Sequence, residues 1–495
     1  MKQKVRDAEN RSRLGVNAAG LIGAVSMLFF HPGAMDMDRL KGNLLLVVLL
    51  PLAAAAFGVN RFARISTRPL PGVLGCAALL CFFLVLSFIP GFCLHADGLG
   101  MVARLLALIL LAMLVRNEAR AHSRVIPAWL LGAGTATAGY ALLQSAGFEP
   151  FYLSNPQRDP VSFLGNTNEL AEVMALLIPM AMALIFDVRK SVFRAAMACL
   201  PLLIAAIWIS GGRGGMLAAL CGGLVFFMIM PRAMRVENAE TLPSGRRPGS
   251  IGKRVWIVAG VAGLGLILAS AVGSKQHLVL KKIDSDASIF SADYPTNQVR
   301  IEIWKSTLSM ISDHPVFGSG PCRFRMTYPP YRSRIEAELP GLMGARTEVI
   351  DPHNEFLWAA AEGGLPAGIA FAIFCFLLIR AGIRSATEAA KTRGDLLMAG
   401  LAGSATAFAV LSLFRSPLHN PATAVILFLI AGQLSAETLP HEAGTRPFSL
   451  VKKASALIGL GMLLGVSLWI GGRGLASDWM AASTSMREEI GPDEL

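Results

Sequence analysis

Charge is scarce in this sequence. Only 16% of its 495 residues are Asp, Glu, Lys or Arg, while 54% are hydrophobic and the mean hydropathy is +0.55. That balance excludes a soluble enzyme of ordinary composition and defines an integral membrane protein. Cysteine is also sparse. The seven (Cys76, Cys81, Cys93, Cys199, Cys221, Cys322 and Cys375) sit mostly within apolar runs and show no metal-ligand spacing, which argues against a zinc site and a structural disulfide. No repeat period is visible. The basic start leads into a long apolar run from Leu14 without a clear small-residue cleavage site, so it reads as a retained span.

What is abundant is apolar sequence in lengths able to cross roughly 30 Å of hydrocarbon. Candidate spans fall at 14–33, 43–59, 71–94, 99–115, 125–147, 165–186, 193–209, 214–230, 255–273, 355–379, 397–413, 420–435 and 454–472. The expected fold is therefore an all-α membrane protein of about 12–13 transmembrane helices with one large, partly helical outer loop. Its expected divisions are helices 1–9 over 1–273, the loop over 274–354, helices 10–13 over 355–472 and a short tail at 473–495. Lys and Arg set the orientation, because basic segments resist translocation. They crowd every second connection, as at Lys2–Arg13, Arg116–Arg124, Arg232–Arg254 and Arg380–Arg393, which places the N-terminus inside. The short outer loops carry only Arg39, Lys41, Arg158, Arg213 and Arg415. The net charge of +12 is thus mostly a topology signal, and nucleic acid is not an expected partner. The outer loop is the exception, holding Lys275, Lys281, Lys282, Arg300, Lys305, Arg323, Arg325, Arg332, Arg334 and Arg346; it calls for an anionic partner.

Within that loop, Gln298–Ser312 places Val299, Ile303, Leu308 and Ile311 at helical spacing. Asp313-His314-Pro315 ends that helix, Gly318–Pro321 turns, and Tyr328-Pro329-Pro330-Tyr331 is expected to be extended. Arg232–Arg254 has linker composition. The loop closes on Asp351-Pro352-His353-Asn354-Glu355, where Asn354 is a candidate N-cap for the next span. His353 lies where water and hydrocarbon meet and suits proton exchange with a hydroxyl; alternatively it caps or anchors the helix. Glu362, two turns further along, is an ionisable group in apolar context, with either a role in chemistry or a structural partnership with backbone. Arg213, in Ser-Gly-Gly-Arg-Gly-Gly at 210–215, makes an anion site or snorkels to a lipid headgroup. Arg300 shares a helix face with Trp304, and Arg323 and Arg325 form a second phosphate contact or a solvated patch. Asp284-Ser285-Asp286 has the spacing of a metal-binding acidic pair, but it lies outside, away from nucleotide sugars, and no metal is expected there. Asn166 and Asn168 read as caps for the sixth span or as sugar contacts. A competing class is an anion transporter with Arg213 and Arg300 as ligands, yet inverted repeats are absent and Arg104 and Glu172 stand alone within spans.

In order, Gly-Asn-Thr-Asn-Glu-Leu-Ala at 165–171, Ser-Gly-Gly-Arg-Gly-Gly at 210–215, Arg300-Ile-Glu-Ile-Trp304, His314-Pro-Val-Phe-Gly-Ser-Gly320, His353-Asn354 and Glu362-Gly-Gly364 resemble the O-antigen ligase and polymerase superfamily of bacterial envelope glycosyltransferases. The resemblance runs over roughly 160–380. It implies a GT-C-like membrane enzyme in the bacterial inner membrane with its site facing the periplasm. It further implies glycan transfer from an undecaprenyl-diphosphate-linked donor without a cofactor, with ligation to lipid A-core the preferred reading and polymerisation onto another glycan or transfer to protein the alternatives within the same superfamily. Among surrounding partners only membrane lipids are expected. By the same resemblance His353 matches the family's essential histidine, and Arg213 and Arg300 match arginines that hold the diphosphate. The final glycine of the last motif is displaced by one, to Gly368.

Overall fold

The computed structural model describes residues 2–30, 37–49, 51–52, 55, 72–89, 96–118, 122–150, 160–187, 189–237, 249–273, 295–336, 348–393, 396–437, 461, 464–465 and 467–477. Asp284-Ser285-Asp286, Lys275, Lys281, Lys282, Arg346, Arg158, Cys93, much of the span at 43–59, the start of the span at 454–472 and the tail after 477 lie outside them.

The described elements are helices, and no strand occurs among them. They are α1 (Lys2–Leu28), α2 (Met37–Leu44, continued by a wider turn over Leu45–Leu49), α3 (Gly72–Leu86), α4 (Ala96–Glu118), α5 (Val125–Ser145), α6 (Thr167–Ile185), α7 (Lys190–Ile209), α8 (Arg213–Glu237) and α9 (Gly249–Gly273). Then follow α10 (Pro295–Asp313), α11 (Phe324–Thr327), α12 (Pro329–Glu336), α13 (Glu355–Arg393), α14 (Leu397–Leu411), α15 (Pro421–Glu437) and a helical stretch, α16, over 467–477. Seven are long and apolar enough to cross a membrane, and four more apolar helices are shorter. In a bilayer every backbone polar group must be bonded internally, which is why these apolar runs are helical throughout.

The helix α6 is the axis of the bundle: all its residues from Glu169 to Ile185 are buried, between α7, α8 and α14. Helix α8 crosses α14 where Gly222 and Gly403 bring the two backbones together, since small residues allow the close packing that membrane helices rely on. Helix α9 packs on α7 at the outside, with Trp256 and Ile267 exposed. Helix α13 packs along α3 and α14.

The segment before α13 builds a small core of its own. Ile303, Met310 and Ile311 of α10 pack with Phe324, Tyr328, Tyr331, Val349, Ala360 and Ala361. Leu308, expected on that face, is instead exposed. The Tyr328–Tyr331 run is also not extended. Pro329 and Pro330 open α12, where a proline's missing N–H would have had no partner anyway. The expected linker at 232–254 is helical at both ends, since α8 continues to Glu237 and α9 begins at Gly249.

Candidate functional site

Residues 348–354 form an irregular approach to α13. Asn354 caps that helix, its Oδ1 accepting from the Leu357 N–H at 3.1 Å while its Nδ2 donates to the Leu413 carbonyl at 3.2 Å. From α10, Trp304 Nε1 donates to the Pro352 carbonyl at 2.9 Å, so the loop helix holds the segment from the other side. Between these anchors His353 adopts φ 50°, a left-handed conformation that costs a residue with a Cβ of order 1–3 kcal/mol. The backbone N–H of His353 donates to Asp351 Oδ1 at 2.6 Å, and its ring Nδ1 lies 2.9 Å from the same oxygen. Ser416 Oγ also reaches Asp351, at 3.2 Å. Burial alone would raise the Asp351 carboxyl. The His353 contacts and the Arg415 charge outweigh it and hold the group down at about 2.

Three guanidinium groups share this neighbourhood. Arg213 opens α8 directly after the 210–212 turn, where Gly215 packs against Ala171 and Gly214 against Phe414. The chain neighbours of those contacts are Glu172 and Arg415, and Arg415 Nε donates to Glu172 Oε1 at 3.0 Å. Burial pushes the Arg300 pKa down, and the charges of Arg415 and Arg213 push it further, while Asp351 opposes them. For Arg415 burial acts downward as well, but the Glu172 charge and hydrogen bond, with Asp351, carry the pKa upward. Arg213, Arg300 and Arg415 therefore stand close enough to repel one another beside the Asp351–His353 pair.

Glu362 has a different task. Its buried carboxylate accepts from the backbone N–H groups of Cys322 at 2.8 Å and Phe324 at 3.2 Å. Backbone bonds from Ser319 to Ala361, Gly320 to Glu362 and Leu365 to Pro315 complete the seam. Helix α13 breaks here, at Gly364 (φ 78°, ψ 172°), and Gly318 (φ 65°) faces the break. A Cβ on Gly364 would strike the Val316 carbonyl, and one on Gly318 the main chain of Glu362. The carboxylate thus fastens the loop to the kinked helix, which accounts for Gly318-Ser-Gly320 and Glu362-Gly-Gly364 as one structural unit. Glu355 does similar work for the 412–420 turn. Its Oε2 accepts from the Leu418 N–H at 2.9 Å, and Oε1 lies 3.0 Å from His419 Nδ1, whose ring stacks on Trp358 at 3.3 Å.

Of the residues expected from sequence, Arg213 and Arg300 feel one another's charge, and His353 joins them through Asp351, which also acts on Arg300. Arg325 does not join them; it is exposed and paired with Glu348, Nη2 to Oε2 being 2.7 Å. Arg323 is half-buried beside Gly320, and the charges acting on Arg300 are those of Arg415, Arg213 and Asp351 instead. Asn166 caps α6, accepting from the Asn168 N–H at 2.8 Å. Arg415 and Asp351 were missed. Arg415 carried one visible signal, being the sole charge between two apolar helices, and Asp351 sits two residues before the histidine.

An all-helical integral membrane protein with a histidine and clustered arginines at one end of its bundle is the class these features define. A family model described as O-antigen ligase matches residues 197–372, a stretch that contains Arg213, Arg300, His353 and the Glu362–Gly364 kink. Over that stretch the chain is similar to the O-antigen ligase and polymerase superfamily. Glu172 and Arg415 lie outside the matched stretch. No curated protein matches the chain.

Proposed function

We propose that this protein transfers a glycan from undecaprenyl diphosphate to an acceptor hydroxyl at the periplasmic face of the bacterial inner membrane, and that the reaction is O-antigen ligation to lipid A-core. What supports this reading is that Arg213, Arg415 and Asp351 act electrostatically on Arg300, while Asp351 lies 2.9 Å from the His353 ring. Mutually repelling guanidinium groups stabilise an anion such as a diphosphate, which each binds by planar, charge-assisted hydrogen bonds.

In this mechanism the Asp351 carboxylate faces His353 Nδ1 and leaves Nε2 to act as base. Nε2 takes the proton of the acceptor hydroxyl as its oxygen attacks the anomeric carbon. The bond from that carbon to the diphosphate oxygen breaks with inversion, and its electron pair leaves on undecaprenyl diphosphate. The arginines stabilise the charge that develops there, supplying with fixed cations what a metal ion supplies elsewhere. Helix α10 and residues 348–354 then present Arg300 and His353 to the donor and acceptor.

The test is reconstitution of the purified protein with lipid-linked oligosaccharide and separate acceptors. Glycan on lipid A-core is the expected product. Lengthened lipid-linked glycan instead would make the protein a polymerase, and no transfer to any acceptor would overturn the reading.

A further inference from the structure

A second cluster of arginines lies on the same end of the bundle, away from His353. Arg39, Arg104 and Arg473 line a cleft of about 220 Å³ together with Asn43 and Ser477. The one carboxylate among its described lining residues, Asp97, is exposed and stands 4.0 Å from Arg39. Among the described lining residues, three cations face one exposed carboxylate.

Two features show that the sequence makes room for this arrangement. Arg104 lies eight residues into α4, roughly 12 Å along a membrane-spanning helix, where a charge is costly without a task. Its guanidinium occupies the space in front of Gly42, and a Cβ there would collide with it. On α16, Gly474 fits against the Asn43 side chain and Gly471 against the backbone of Asn43, and this close approach brings Arg473 over the cleft. The Arg473 guanidinium sits 5.4 Å from the Trp469 ring, an aromatic and basic pair of the kind found at headgroup level. Arg104 also lines a cavity of about 40 Å³ whose other walls, besides His419, are apolar and include Leu45, Met101, Leu105 and Leu418, so apolar side chains adjoin the cationic cleft.

We infer that Arg39, Arg104 and Arg473 form a second anion site, one that takes the phosphate ester of a lipid headgroup. Cationic groups above apolar walls match an amphiphile with a phosphate at its polar end, as basic pockets between membrane helices bind acidic lipids. The 412–420 turn borders both sites: Arg415 acts on Arg300 of the first, and Leu418 and His419 wall the cavity that Arg104 shares. If the lipid is the phosphorylated glycan acceptor, it approaches the site from the side opposite the donor diphosphate. That last assignment rests on the transfer reading; binding of the phosphate does not.

The experiment uses the full-length protein in phosphatidylcholine nanodiscs, with the His353→Ala chain as a background in which no transfer occurs. Fluorescent lipid A carrying its phosphates, dephosphorylated lipid A, phosphatidylglycerol and inorganic phosphate are titrated in turn. Phosphorylated lipid A should bind the wild type and His353→Ala alike, and Arg104→Gln and Arg473→Gln should each weaken it about five- to tenfold. Arg473 is exposed, so its variant remains decisive if Arg104→Gln fails to accumulate. Equal, arginine-dependent binding of phosphatidylglycerol would identify a bilayer phospholipid as the occupant, and preference for lipid A would identify the acceptor. Affinity unchanged in both arginine variants, or unchanged on removal of the lipid phosphates, would overturn the site.

Discussion

The two ends of the helix bundle both gather arginines, and they use them in opposite ways. At one end Asp187 sits buried among three: Arg124 Nε donates to it at 2.6 Å, Arg189 Nε lies 3.4 Å away, and Arg254 donates to its carbonyl at 3.1 Å. These contacts outweigh burial and hold the Asp187 carboxyl below its ordinary value. At the other end Arg213, Arg300 and Arg415 press on one another, and their carboxylates, Glu172 and Asp351, are occupied by Arg415 and His353. An arginine whose charge is answered by its neighbours fastens helices. At the other end Arg300 feels two like charges, Arg415 and Arg213, so an added anion would relieve repulsion there.

The sharpest way to break this contrast is at the histidine. His353→Ala should lower glycan transfer by about 10²–10⁴-fold, the contribution of a positioned base, while the protein still inserts and binds lipid. Retained transfer in a reconstituted assay would remove the site from consideration. Next, Arg300→Gln should reduce turnover about 10²-fold, because one donor to the developing charge is lost. Lysine in its place should recover only part, as it lacks the planar fork. At the opposite end Asp187→Asn should leave transfer per folded molecule unchanged. It should destabilise the bundle by about 3 kcal/mol, seen as a lower thermal midpoint in detergent, because it breaks a buried pair. If that variant lost activity at full stability, the two ends would not differ as described.

The smallest effect concerns acid. A carboxyl at about 2 in the folded protein, against its ordinary 3.8, contributes stability that is fully present above pH 3.8 and is lost as the pH falls through 2. The contribution is on the order of 2 kcal/mol. Asp351→Asn should therefore lower stability at neutral pH and flatten its decline between pH 4 and 2, as followed by tryptophan fluorescence.

Much of the architecture was legible in the residues alone. Apolar runs of span length can satisfy their backbone in lipid only as helices, so their positions, the amphipathic helix at Gln298–Ser312 and the caps at Asn166 and Asn354 followed from local pattern. Local pattern also misled at Tyr328–Tyr331, where the prolines start a helix instead of preventing one. His353 and Arg213 each stand out in their own segments, whereas Arg300 was singled out only by the ordered motifs of the resemblance.

Other matters were decided only by packing. The meaning of Glu362 depended on which backbone N–H groups reached it across 40 residues of chain, and Arg415 became part of the arginine cluster only once α14 was laid against α6 and α8. The sequence determined that the chain crosses a membrane and which residues bear its polar chemistry, because composition and periodicity are local properties. Which charges oppose and which answer one another was left to the tertiary structure, since Coulomb energies depend on distances in space that separation along the chain does not specify.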